Sequence, residues 1–201
     1  MVAIIDYGVG NLFSLKSSFS AVGENAIVTN DEKLIGEASH IILPGVGAFR
    51  DAAKKLTDSG MDVVLKSEIK KGKPVMGICL GMQMLLDKSL EYGEYDGLGL
   101  IPGVVSPIAD DVSPDLKIPH IGWNALHFTT DCPIFKYTKE EDCVYFVHSF
   151  YAKDCPNVVA TTEYGTTLTA AVAKDNLFGC QFHPEKSGSV GLSILKAFCE
   201  L

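Results

Sequence analysis

Short apolar runs recur through the first half of the chain, separated by stretches in which apolar positions return every three or four residues. Residues 2–7 (VAIIDY), 25–29 (NAIVT), 40–44 (HIILP) and 74–79 (PVMGIC) read as strands. Their apolar positions run on without polar alternation, as a parallel sheet covered on both faces requires. Between them, Leu12–Val22 closed by Gly23, and residues 49–58 and 61–71 ending at Gly72, carry the helical period. Such alternation predicts βα units. The second half differs. Residues 104–108, 124–128, 144–151, 158–164, 168–173 and 178–183 are strand-like pieces divided by turn residues, and no long helical pattern returns until 190–200. The expected fold is therefore α/β, a mostly parallel central sheet flanked by helices, with antiparallel additions from the second half. No repeat, low-complexity tract or linker interrupts the pattern, so residues 1–201 are expected to form one domain.

Composition removes several classes of function. With 47% hydrophobic residues among 201, the chain has enough apolar surface for a full core. Its 25 Asp and Glu against 17 Lys and Arg give a net charge of −8, which opposes a nucleic-acid partner, since phosphate binding calls for a basic face. No apolar stretch approaches the roughly 18 residues that span a bilayer, and the opening MVAIIDYGVG has no basic leader. A soluble, cytoplasmic protein without membrane contact is expected. The six cysteines form no CxxC pair and no cluster with His at zinc spacing. Neither a metal nor a cofactor nor a disulfide framework is expected, and Cys132, Cys143, Cys155, Cys180 and Cys199 receive no role.

Cys79 is different because of its neighbours. It stands in Gly77-Ile78-Cys79-Leu80-Gly81, directly after an apolar run and before the helix expected over Leu80–Asp87. A strand entering a helix through G-x-C-x-G has the form of a nucleophile elbow, a strained turn in which the flanking glycines admit close backbone approach. The thiol would then stand at the carboxyl edge of the sheet and at a helix N-terminus, which favours the thiolate. Such a nucleophile needs a base. Of the five histidines, His40 and His127 sit inside strand-like runs, whereas His183 lies in Gln181-Phe182-His183-Pro184-Glu185 at a strand end. Pro184 pushes His183 toward extended backbone, where positions i and i+2 share a face, so Glu185 can orient the imidazole. A third element, Pro44-Gly45-Val46-Gly47, follows another strand. Its backbone N–H groups, with that of Leu80, can form an oxyanion hole.

GICLGMQ, QFHPE and PGVG together resemble the triad-type (class I) glutamine amidotransferases over essentially the whole chain. The resemblance implies a flavodoxin-like sheet, Cys79 as nucleophile, His183 as base and then acid, and Glu185 as orienter. It also implies an oxyanion hole from Val46, Gly47 and Leu80. Within that family, DYGVGN at 6–11, PGVGAF at 44–49, PHIGWN at 119–124, YFVHSF at 145–150 and QFHPEKS at 181–187 are similar to glutaminase subunits of imidazole glycerol phosphate synthase. That similarity implies L-glutamine as substrate, held by Gly45, Gln83, Glu91, His148, Ser149 and Phe150. It further implies a (β/α)8-barrel cyclase as partner, met by Asn11, Trp123, Asn124 and Lys186. Leu168 stands where the family usually carries an aromatic residue. Two alternatives stay open: a glutaminase subunit of another amidotransferase, such as anthranilate synthase, and a non-catalytic binding subunit of the same fold.

Overall fold

The structure is a computed structural model describing residues 1–201. Its first half is β1 (Val2–Ile5), α1 (Leu12–Ala21), β2 (Ala26–Thr29), α2 (Glu32–Glu37), β3 (His40–Leu43), α3 (Phe49–Asp58), α4 (Met61–Lys70), β4 (Val75–Ile78) and α5 (Leu80–Met84). The second half is β5 (Lys88–Ser89), β6 (Tyr95–Asp96), β7 (Val104–Pro107), β8 (His120–Ala125), β9 (His127–Phe128), β10 (Cys143–His148), β11 (Phe150–Lys153), β12 (Val158–Glu163), β13 (Thr167–Lys174), β14 (Leu177–Cys180) and α6 (Gly188–Cys199).

Eight strands form the main sheet in the order β2-β1-β3-β4-β14-β13-β12-β9. The strands from β2 to β14 run parallel, and β13, β12 and β9 extend the sheet antiparallel. The two faces are both apolar because alternate strand residues point opposite ways. Val2 and Ile4 pack with Phe19 of α1 and Phe198 of α6, while Ala3 and Ile5 pack with Phe49 of α3 and Leu65 of α4.

Five features depart from the sequence reading. The second-half strands do not all join one sheet: β8 and β10 form a separate ribbon, and β11, β7, β5 and β6 a separate four-stranded sheet. The expected strand 144–151 breaks at Ser149, its halves entering those two sheets. The last strand, β14, is a parallel neighbour of β4. Helix α5 stops at Met84, short of the expected Asp87, because Leu98, Leu100 and Gly99 N–H groups take the carbonyls of Met84, Leu85 and Leu86. Helix α2 was not foreseen; Asp31 caps it by accepting from Lys33 and Leu34 N–H. Leu168, at the departing position, is fully buried against Ile108 and Tyr151.

Candidate active site

Cys79 joins β4 to α5 with φ 54° and ψ −113°, a backbone conformation that a non-glycine residue rarely holds. The glycines make room for it. A β-carbon on Gly77 would sit 2.7 Å from backbone atoms of Gly81 and Met82, and one on Gly81 would run into the Leu43 carbonyl. One on Gly45 would lie 2.6 Å from Gly81 N. The end of β4, the start of α5 and the loop after β3 are thus packed backbone on backbone. Tyr7 adds a tether: its buried hydroxyl donates to the Pro44 carbonyl at 2.6 Å. Burial, and then the nearby Cys79 sulfur, pushes that phenol well above its ordinary range.

The parallel pairing of β14 with β4 brings the second half of the site to the sulfur. Cys79 N–H donates to Cys180 O at 2.7 Å, carrying the ladder one residue past the strand. His183 then follows β14 and is fixed from two sides: its N–H donates to Tyr145 O at 3.0 Å, and Ser187 Oγ donates to its carbonyl at 2.6 Å. Its Nδ1 lies 2.8 Å from Glu185 Oε1, with both side chains almost fully buried. Glu185 arrives by a different route from the one expected. Residues 184–186 form a 3-10 turn, so the turn, not extended backbone, folds the carboxylate back onto the ring.

The His183 ring shares the cavity wall with Cys79, whose side chain is close enough to shift the imidazole. With Nδ1 engaged by Glu185, Nε2 is the nitrogen left for sulfur. Burial alone would lower the imidazole; the neighbouring Cys79 and Glu185 side chains outweigh it and push His183 up to about 9. A sulfur, an imidazole and a carboxylate in that order form a chain able to generate a thiolate and return a proton. The helix N-terminus contributes less than the sequence suggested, because α5 has only five residues.

A cavity of about 350 Å³ opens over this chain. Among the expected residues, Val46, Gly47, Cys79, Leu80, Gln83, Glu91, His148, Ser149, Phe150, His183 and Lys186 line it. The break at Ser149 explains the last wall: the chain turns out of one sheet into another there. Gly45 lies beneath the cavity against Leu80 and Gly81, and Glu185 lies behind His183. Glu91 Oε2 accepts from Phe49 N–H at 2.7 Å, pinning the far wall to the start of α3. His148 Nδ1 meets Phe150 O at 2.9 Å, and its deep burial pushes the ring down to about 3.

The residues expected to meet a partner lie apart from the cavity, with one exception. Trp123 and Ile121 project from the outer face of β8, both more than half exposed. Trp123 stacks edge-on with Tyr145, over which Lys186 places its ammonium, so this face adjoins the cavity rim. Asn11 precedes α1 without capping it, and the Asn124 amide is occupied within the chain by His120 and the Glu163 carbonyl.

Sequence reasoning missed Tyr92, Pro119 and Val147 in the cavity wall and Gln181 behind the sulfur. Tyr92 gave no local signal. Gln181 did: it is a polar residue inside the otherwise apolar FGCQF run.

The fold and site together define the chain's class. Residues 3–200 match the family model "Glutamine amidotransferase class-I", and the chain belongs to that family. Among solved structures, a glutamine amidotransferase aligns with a TM-score of 0.76 at 17% identity, covering 100% of this chain and 98% of that one. A PurLQS structure from Thermotoga maritima aligns with 0.76 at 19%, covering 99% and 97%. Sequence relatives are more specific. The imidazole glycerol phosphate synthase subunit HisH of Caldanaerobacter subterraneus subsp. tengcongensis is 49% identical, covering 100% of this chain and 98% of that protein. HisH of Geobacter metallireducens is 48% identical over 98% and 96%. Within the amidotransferases, the chain is a member of the HisH family of imidazole glycerol phosphate synthase subunits.

Proposed function

We propose that the chain is the glutaminase subunit of an imidazole glycerol phosphate synthase, acting through Cys79, His183 and Glu185. The observation that carries this reading is the buried Glu185–His183 pair brought to the same cavity wall as the Cys79 sulfur. The Cys79 thiolate attacks the carboxamide carbon of glutamine. The oxyanion is held by the Leu80 N–H, which has no intrahelical acceptor at the first helical position, and by the N–H groups of Val46 and Gly47. His183 gives its proton to the departing nitrogen, and ammonia leaves a glutamyl thioester. A water then loses a proton to His183 and attacks the thioester; glutamate departs, and the thiolate and imidazolium are restored.

Gln83, Glu91, Ser149 and Phe150 line the cavity and would orient the substrate. Ammonia passes to a partner subunit, which we take to be a (β/α)8-barrel cyclase that forms imidazole glycerol phosphate and AICAR in histidine biosynthesis. The exposed Trp123 and Ile121 next to the cavity rim support that face as the contact, with Lys186 beside it. No helix is long and apolar enough to cross a membrane. The nucleophile must stay a reduced thiol, which favours the cytoplasm.

The test is glutamate formation by the chain mixed with a barrel cyclase and the cyclase's nucleotide substrate. Cys79→Ala is expected to abolish it while leaving the melting curve intact. Substantial residual glutaminase in that variant, or activation by another synthase and not by the cyclase, would overturn the reading.

A further inference from the structure

Gln181 is wholly buried, yet it lies outside the triad and outside the cavity wall. Its backbone N–H is used in the sheet, donating to Ala170 O at 2.8 Å. The side-chain amide bridges two groups of the site. One end lies 3.0 Å from Gln83 Nε2 and the other 3.8 Å from the Cys79 sulfur, within reach of an N–H···S bond.

One backbone carbonyl fixes the direction of this relay. Gln83 faces Phe150 O at 3.0 Å, and a carbonyl can only accept, so the Gln83 atom there must be the NH₂ group. The second hydrogen of that NH₂ points at Gln181, whose facing atom must therefore be its oxygen. The Gln181 NH₂ is then turned to the sulfur. Flipping either amide would set an acceptor against an acceptor or a donor against a donor. Gln83 Oε1, by the same logic, takes no bond within the chain and opens on the cavity.

We propose that Gln181 is a positioning residue of the glutaminase site: its amide donates to the Cys79 thiolate and, from its other end, holds Gln83 with an acceptor facing the substrate. An N–H donor favours sulfur in its charged form over the neutral thiol. It supplies this where a five-residue helix offers little. The Gln83 oxygen presented to the cavity accepts from an N–H of glutamine and repels a carboxylate oxygen, which favours the substrate over its product. This inference rests on Cys79 being the nucleophile, but its deciding test, alkylation of the thiol, needs no turnover.

Gln181→Glu keeps an oxygen for Gln83 and replaces the donor with a second acceptor facing sulfur. Gln181→Asn, one methylene shorter, withdraws the amide from sulfur with less change in charge. The rate of Cys79 alkylation by iodoacetamide, followed on the full-length chain by mass spectrometry of the Cys79 peptide, is measured against pH. The midpoint is expected to move up by about one pH unit or more in Gln181→Glu, a tenfold loss of thiolate near neutrality, and less in Gln181→Asn. With the partner present, KM for glutamine should rise in Gln181→Asn, where Gln83 loses its acceptor. A folded variant with an unmoved midpoint overturns the proposal. So does loss of the folded state in both variants, which would assign Gln181 to the core alone. Failure of Cys79→Ala to abolish glutaminase would instead strike at the nucleophile and leave the alkylation result standing.

Discussion

Gly77→Ala separates stability from activity at the elbow. The new β-carbon would stand 2.7 Å from the carbonyl carbon and oxygen of Gly81 and from Met82 N, all backbone atoms that no rotamer change can move. Reaching ordinary contact at 3.4 Å requires β4 and α5 to part by about 0.7 Å. Overpacking of this kind costs about 1–3 kcal/mol, and the reduced entropy of the unfolded chain returns less than about 1 kcal/mol. A net loss of about 1–2 kcal/mol lowers Tm by about 2–8 °C in a domain of this size. The catalytic loss should be larger in proportion. Cys79 lies inside the segment that moves, and misplacing reacting atoms by about 1 Å can cost about 10²-fold in rate. Gly36→Ala is the control, because that exposed helical glycine has nothing within 4 Å of an added β-carbon and should melt slightly higher with full activity. The assays are thermal melts and glutamate release with the partner subunit present. A Gly77→Ala chain with wild-type melting and wild-type turnover would refute the close-packing argument.

Further outcomes follow from the same geometry. His183 stands at about 9, above its ordinary 6.5, so its protonated form stabilises the fold fully below about pH 6.5, and that contribution is lost as pH rises through about 9. The alkaline limb of kcat/KM should fall in the same region, read from a pH–rate profile. Glu185→Gln removes the charge 2.8 Å from Nδ1 and should cut kcat about 10²-fold or more while moving that limb to lower pH, as steady-state kinetics would show. Tyr7→Phe leaves the Pro44 carbonyl without its donor and should cost about 1 kcal/mol in urea unfolding, with a lower kcat from the loosened glycine loop.

The parallel half of the sheet was legible because its strands are apolar on both faces, a pattern that burial between two helical layers imposes on each strand separately. The proposed triad could be picked out for a related reason: G-x-C-x-G and His-Pro-Glu are local devices whose backbone needs are written in adjacent residues. What escaped depended on partners far along the chain. The early end of α5 is decided by N–H groups at 98–100, and the break at Ser149 by two sheets competing for neighbouring residues. The closeness of His183 and Glu185 was anticipated, but its cause was not, since a 3-10 turn and an extended segment can bring the same two side chains together. Gln181 was visible as an oddity, yet its meaning required knowing which strand β14 would lie beside.

The imidazole's anchor has a thermal consequence. His183 hangs by its N–H from Tyr145, and Tyr145 belongs to a ribbon of only two strands, whereas Cys79 is rooted in the eight-stranded sheet. Small ribbons open at lower free energy than broad, doubly covered sheets. On warming, His183 and Cys79 should lose register while far-ultraviolet circular dichroism still reports an intact molecule. Inactivation then precedes denaturation.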